Sequence, residues 1–390
     1  AANLLGRAVE LVTDEGVRPA LLVHLGEALA EAGELERSQE TLDEAVALAR
    51  RAGDVHCEWL GRIFLAKVRS LREPEGSAEE MLRETEAAIA AGEAGTDDEV
   101  LARAWELVAQ AHILSGRMTE YAKALERAAH HARSAGDLRL EASLVTWKAP
   151  YFIWGPGHVD EGLRFVGEVI ERLGHVPGVQ SFALHVRAHM RARLGEFDGA
   201  FEDVTEYRRR VRELGREREY AVTSGCLWDV CLWSGDWERG AETLRESYEI
   251  LERMGSKANL SEIALDLGDA VFRLGMIDEA ERLSQIGEEV TAKEDVFGMA
   301  QWLNLRARVR AARGDIAGAE ALARRAVELP TRTELLELAA ESRLALAEAF
   351  RLSGKPEAVP MAAEALELYE QKGNIVAAGR VRAFLDALRG

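Results

Sequence analysis

Residues 267–280 run Leu267-Gly268-Asp269-Ala270-Val271-Phe272-Arg273-Leu274-Gly275-Met276-Ile277-Asp278-Glu279-Ala280, a helix–turn–helix pattern from which the architecture follows. The pattern predicts a helix ending at Leu274 and a turn at Gly275, where the missing Cβ removes the steric cost of a left-handed residue. Asp278 and Glu279 then fall in the first turn of a second helix, where negative charge suits the helix dipole. A small residue stands seven before the turn (Gly268) and another five after it (Ala280). Small residues at these places let two antiparallel helices approach closely.

On either side of this stretch the turn glycine returns. Gly195, Gly235, Gly275, Gly314 and Gly354 are separated by 40, 40, 39 and 40 residues, and Gly33, Gly116 and Gly155 fit the same register, with Glu73 where one more glycine is expected. The flanking small residues return too: Ala188 and Ala200 around Gly195, Ala307 and Ala319 around Gly314, Gly26 and Ser38 around Gly33. Ala109 fits before Gly116, but Tyr121 breaks the second position, and Ala347 with Val359 is a looser match around Gly354. Twelve past the turn the residue is again often small, as at Ala45, Ala128, Gly287 and Ala326. A fixed period in this range marks a stack of supersecondary units, in which each helix pair buries its apolar face only against its neighbours.

The register predicts an all-α chain of about nine antiparallel helix pairs over residues 15–373. It is preceded by an orphan helix within 1–14 (about Ala2 to Val12) and closed by a capping helix, Ile375 to Leu388, within 374–390. We expect one solenoid over 1–390. The opening residues read as helix without a methionine, and we expect a piece cut from a longer polypeptide. Pro74, Pro330 and Pro356 fall at predicted helix boundaries, as a residue without an N–H should.

Composition narrows the function classes. Hydrophobic content is 47% and charged content 30%, which describes a folded chain and not a disordered one. The net charge of −19 repels phosphate backbones and anionic lipid, so neither nucleic acid nor membrane is expected as partner. No signal peptide or spanning run is present, and a cytoplasmic location is expected. Cys57, Cys226 and Cys231 are too few and too irregularly spaced for a disulfide framework or a zinc signature, so we expect no metal and no cofactor.

The small-residue, turn-glycine, small-residue pattern resembles the tetratricopeptide (TPR) repeat over nearly the whole chain. The period near forty exceeds the usual length of about 34 residues. The resemblance implies a right-handed α-solenoid whose first helices line a concave groove, at positions thirteen, ten, six, three and two before the turn glycine. Carried onto this sequence, these are Phe182, His185, His189, Ala192 and Arg193; Val222, Gly225, Asp229, Leu232 and Trp233; Glu262, Leu265, Asp269, Phe272 and Arg273; with Val145, Ala149, Phe152 and Ile153 from the pair at Gly155. The expected binding groove therefore centres on Phe152, Phe182, His185, His189, Asp229, Trp233, Asp269, Phe272 and Arg273. Aromatic and arginine side chains are the usual anchors of interfaces. The opening Ala1-Ala2-Asn3-Leu4-Leu5-Gly6-Arg7-Ala8-Val9-Glu10-Leu11 and the ending Ala365-Leu366-Glu367-Leu368-Tyr369-Glu370-Gln371-Lys372-Gly373-Asn374-Ile375 resemble the carboxyl-terminal TPR region of bacterial proteins joining a class III adenylate/guanylate cyclase, a signal-transducing ATPase and helical repeats.

Three functions follow as expectations. The first is a non-catalytic scaffold, the sensor or regulatory arm of a larger bacterial signalling ATPase or cyclase, holding a protein or peptide partner or another domain of its own polypeptide in the groove. The second is a metabolite sensor, with Phe182, His189, Asp229, Trp233 and Asp269 holding a small polar molecule. The third is an enzyme using His185 and His189, which lie four apart on one helical face, as acid and base. No nucleophile motif or phosphate-binding loop accompanies them.

Overall fold

The computed structural model describes residues 2–389 except 13, 15, 73–76, 216, 255–256 and 292–294. Among the described residues every regular element is helical. The chain groups into two compact units, residues 1–148 and 149–390. The first contains α1 (Ala2–Leu11), α2 (Arg18–Glu31), α3 (Leu35–Ala52), α4 (Val55–Arg72), α5 (Ser77–Gly95), α6 (Asp98–Leu114), α7 (Met118–Ser134) and α8 (Leu138–Thr146). The second contains α9 (Ala149–Ile153), α10 (Val159–Leu173), α11 (Val179–Arg193), α12 (Phe197–Glu213), α13 (Glu217–Val222), α14 (Ser224–Ser234), α15 (Trp237–Met254), α16 (Lys257–Arg273), α17 (Ile277–Val290), α18 (Val296–Ala312), α19 (Ile316–Glu328), α20 (Leu336–Leu352), α21 (Ala358–Lys372) and α22 (Ile375–Arg389).

The helices pair as the glycine register requires. Gly275 and Gly314 take φ of 79° and 83° between α16 and α17 and between α18 and α19, and the same left-handed turn recurs at Gly33, Gly116, Gly195, Gly235 and Gly354. Glu73 and Pro74 lie outside the described residues. The pair at Gly155 departs from the rule: its glycine is not left-handed, and its first helix is broken into α8 and α9, so that the unit boundary falls inside it. A second series was not anticipated. Gly53, Gly136, Gly215 and Gly373 also have positive φ and end the second helices about one half-period later. Four of the repeats are thus punctuated twice.

Packing shows why the small positions are small. A Cβ on Gly268 would come within 2.5 Å of Leu305, and one on Gly287 within 2.4 Å of Leu265. Ala188, Ala200, Ala280 and Ala326 are fully buried, and Ala319 is 1% exposed. In the first unit Ser38 does more than fit: its Oγ donates to the Gly26 carbonyl at 2.7 Å, tying α3 to α2. Tyr121, the apparent break, is buried, and its hydroxyl donates to the Trp147 carbonyl. Acidic caps fix the starts of several helices, with Asp97 accepting from the Val100 amide at 3.1 Å and Asp315 from the Gly318 amide at 2.9 Å. No helix among the described residues is long and apolar enough to cross a membrane.

Within the second unit the last helices return to the first. Lys372, at the end of α21, is fully buried and its ammonium donates to three carbonyls of the α9–α10 turn: Phe152 at 2.6 Å, Gly155 at 2.7 Å and Gly157 at 2.9 Å. Arg380 of α22 donates to the carbonyls of Leu232 (3.1 Å) and Trp233 (2.7 Å) at the end of α14. The last two helices, of which the final one was expected as a cap, therefore bond back to earlier parts of the unit, α21 to its beginning and α22 to α14.

Candidate functional site

A cavity of about 320 Å³ lies inside the second unit, a volume typical of small-ligand sites, about 300–1,000 Å³. Its wall is built almost wholly from first helices: α11, α13, α14, α16, α18 and α20, with Trp154 from the α9–α10 turn and Tyr207 as the one contribution from a second helix. The repeat explains this. With a period near forty, the same helical face of each first helix recurs one layer further along, so residues at equal offsets from successive turn glycines meet around one space.

Five of the nine expected groove residues line this cavity: His185, His189, Asp229, Trp233 and Asp269. Arg273 stands behind them, its Nε donating to Asp269 at 2.8 Å. The three phenylalanines lie elsewhere. Phe152 is buried in an apolar cluster with Ile153, Val159 and Val166, and Phe182 packs at its edge with its ring 6.3 Å from that of Phe165. Phe272 is half-buried against the main core. These side chains turn away because the helix offsets carried from the family specify a stripe, and its margins here are absorbed by packing between neighbouring helices.

The deepest part of the site is an ionic network. Arg193 is 2% exposed and holds Glu337 with two bonds, 2.9 Å from Nε and 2.5 Å from Nη2, while its Nη1 donates to Asp229. Asp229 also meets His189 Nδ1 at 2.5 Å and accepts from Trp233 Nε1 at 3.1 Å. Burial pushes the Asp229 carboxyl up, but Arg193 and His189 outweigh it and hold the group below the ordinary carboxylate range. Asp269 is kept low in the same way: burial opposes ionisation, while Arg273 and Arg308 (2.5 Å) favour it. Asn374, at the start of α22, adds a bond to Glu337 at 2.8 Å.

Other groups of the cavity have no such partners. Glu262, Asp266 and Glu341 make no ion pair within 4 Å among the described residues. Burial raises all three, pushing Glu341 to about 7 and Asp266 well above its usual range, with Glu262 and Asp269 adding to the rise at Asp266. His185 Nδ1, Gln301 Oε1 and Asn304 Oδ1 are buried without a hydrogen-bond partner. Asn304 is 3% exposed, and its amide nitrogen already donates to Ser342 at 3.1 Å, so the free atom is its oxygen. Buried polar atoms are nearly always satisfied in folded proteins, and several free ones around one cavity point to a missing partner.

His185, His189 and Cys226 bring potential metal-ligand atoms within 4.8 Å of one another. Burial pushes the Cys226 thiol well above its ordinary value, with Asp229 adding to the rise; the thiolate that would act as ligand or nucleophile is thus disfavoured. Burial likewise lowers His185 to about 3, with His189 adding to the effect, so it stays neutral at neutral pH. Sequence reasoning singled out neither the α18 and α20 residues nor Asp266. The first were in reach: the offsets thirteen, ten and six before Gly314 give Gln301, Asn304 and Arg308, and thirteen before Gly354 gives Glu341.

No protein-family model and no curated protein matches this sequence. Solved structures share its fold. The crystal structure of a Rap protein complexed with competence and sporulation factor aligns over 95% of this chain and 98% of its own, with a TM-score of 0.61 and 12% identity, a likeness of fold alone. The human IFIT1 dimer with m7Gppp-AAAA aligns over 94% of this chain and 93% of that one at 13% identity, with a TM-score of 0.45. A signal transduction ATPase with numerous domains and a tetratricopeptide repeat sensor from Pyrococcus horikoshii aligns over 90% of this chain and 52% of that one at 14% identity, with a TM-score of 0.39. Both are too distant to bear on function. The fold is an all-α, TPR-like helical repeat.

Proposed function

We propose that this chain is a non-catalytic sensing and interaction module, in which the second unit takes up a small polar ligand on its inner face. The observation that carries the reading is the convergence of six helices, α11, α13, α14, α16, α18 and α20, on one cavity of about 320 Å³ whose wall leaves buried polar atoms unsatisfied. A scaffold that only displayed an outer surface would have no use for such a wall, because each unsatisfied buried group costs about 1–3 kcal/mol. The His185 ring is held neutral and the Cys226 thiol protonated, so neither a His185 acid nor a Cys226 thiolate nucleophile is ready.

The Rap structure, with competence and sporulation factor bound, supports a ligand- or partner-binding role for a fold of this kind. The wider reading is that this module is the regulatory arm of a larger bacterial signalling ATPase or cyclase, acting in the cytoplasm on a protein partner or on its own polypeptide. That reading is supported by the resemblance of its two ends to such proteins. The net charge of −19 supports partners other than nucleic acid or anionic membrane.

The test is thermal unfolding of the full chain against a panel of metabolites and short peptides. A Glu341→Gln, Asp266→Asn variant, which changes the cavity wall, is run beside it. A saturable rise in melting temperature that the variant lacks is expected. A panel that stabilises both proteins equally, or neither, sinks the sensing reading.

A further inference from the structure

The cavity wall carries more than a general polarity; it has a charge and a hydrogen-bonding sense. Six carboxylates line it, from Asp229, Glu262, Asp266, Asp269, Glu337 and Glu341. Three guanidinium groups answer them: Arg193 on Asp229 and Glu337, and Arg273 with Arg308 on Asp269. Six carboxylates against three guanidiniums leave three negative charges when all are ionised, or two when His189, paired with Asp229, is protonated. Lys372, which is not part of the wall, turns its ammonium to three backbone carbonyls.

The surplus is concentrated. Glu262 and Asp266 are one turn apart on α16, so they share a face, and Glu341 faces the same cavity from α20. None has an ion-pair partner within 4 Å among the described residues. Between these helices, α18 presents the unpartnered oxygens of Gln301 and Asn304. The oxygens of Gln301 and Asn304 accept hydrogen bonds, and so do the three carboxyls once ionised. Beside His185, His189, Tyr207 and Cys226, the rest of the wall is largely aromatic and apolar, with Trp154, Trp228, Phe297, Leu265 and Leu338. Aromatic faces attract organic cations, and apolar walls suit methylene chains.

We propose that this cavity binds a small aliphatic amine carrying at least two protonated nitrogens. Its N–H groups would satisfy the free oxygens on α18, its charges would offset Glu262, Asp266 and Glu341, and its methylenes would lie against the aromatic wall. A permanently alkylated ammonium supplies charge but no donor, and a bare divalent ion has no apolar part, so each fits only half of the wall. The proposal rests on the sensing reading above and specifies its ligand.

The experiment is isothermal titration calorimetry of the full chain, with chelator in the buffer, using putrescine and spermidine as probes. Choline, magnesium and a neutral polyol serve as comparisons, the magnesium titration being run without chelator. The Asp266→Asn, Glu341→Gln variant relieves charge repulsion and so should fold; its melting curve checks that it does. A charge-matched control, Glu40→Gln with Glu86→Gln, alters exposed positions in the first unit. The expected result is one saturable site for a di- or triamine, weakened at least tenfold in the cavity variant and unchanged in the control. Absent amine binding, equal weakening in both variants, or equally tight binding of choline or magnesium would overturn the proposal. If amines fail while a neutral metabolite or a peptide binds and is lost in the cavity variant, the ligand class is wrong and the sensing reading stands.

Discussion

Replacing Glu341 by glutamine should stabilise the protein at alkaline pH and leave it nearly unchanged in acid. Glu341 is half-buried in the cavity wall without a hydrogen bond or ion pair among the described residues, and burial pushes its carboxyl from 4.5 to about 7, Asp269 and Glu337 adding to the rise while Arg308 and Arg273 oppose it. The folded state therefore keeps a proton that the unfolded chain gives up. The stabilising contribution of the protonated form is complete below the unfolded value and is lost as pH climbs through the folded one. A rise of this size corresponds to about 3 kcal/mol between pH 4 and pH 8. Glutamine keeps the shape of the protonated acid and cannot ionise, so Glu341→Gln should remove that dependence. For a cooperative unit of this size, 1 kcal/mol moves the melting temperature by about 2–4 °C, which puts the gain at pH 8 in the range of ~6–12 °C. The assay is differential scanning calorimetry of both proteins at half-unit steps from pH 4.5 to 8, in a buffer free of amines. Two curves separated by a constant offset across that range, or a variant less stable than wild type at pH 8, would refute the reasoning.

The other predictions test the frame of the site. Arg193→Met should cost about 3–5 kcal/mol, because it leaves the buried carboxylates of Asp229 and Glu337 without their cation; an unchanged denaturant midpoint for the second unit would mean that the network contributes nothing. Ala280→Leu and Ala319→Leu should each overpack a helix pair and cost roughly 1–3 kcal/mol, since both alanines are buried at the small position after the turn; melting temperatures equal to wild type in both would count against the register.

The repeat was legible in the sequence because its cause is local. A helix that must reverse within a few residues needs a left-handed position, and Gly275 and Gly314 supply one wherever the period demands it. Two helices that must lie close need small residues in contact, as Gly268 against Leu305 shows. The second glycine series, at Gly53, Gly136, Gly215 and Gly373, obeys the same physics at the ends of the second helices. Tyr121 shows the limit of a small-residue rule. A large side chain is tolerated at that place because its ring is buried and its hydroxyl reaches the Trp147 carbonyl.

The site was half legible for a related reason. Whatever follows from helical periodicity alone could be placed: His189, Asp229 and Asp269 stand at one offset in three consecutive repeats, and the structure sets them around one cavity. Arg308 holds the same offset in the next repeat and completes the series. Asp266 breaks the offset rule, and its importance comes from what faces it and not from its own position. The pairing of Arg193 with Glu337, 144 residues away, and the capture of three turn carbonyls by Lys372 depend on how far each helix pair rotates relative to the last. That rotation is the sum of many small packing choices and leaves no local mark. Yet these contacts decide the chemistry. By drawing the end of the second unit onto its beginning, they turn a row of first-helix faces into a bounded cavity, and burial there gives its carboxylates properties they would not have along an open groove.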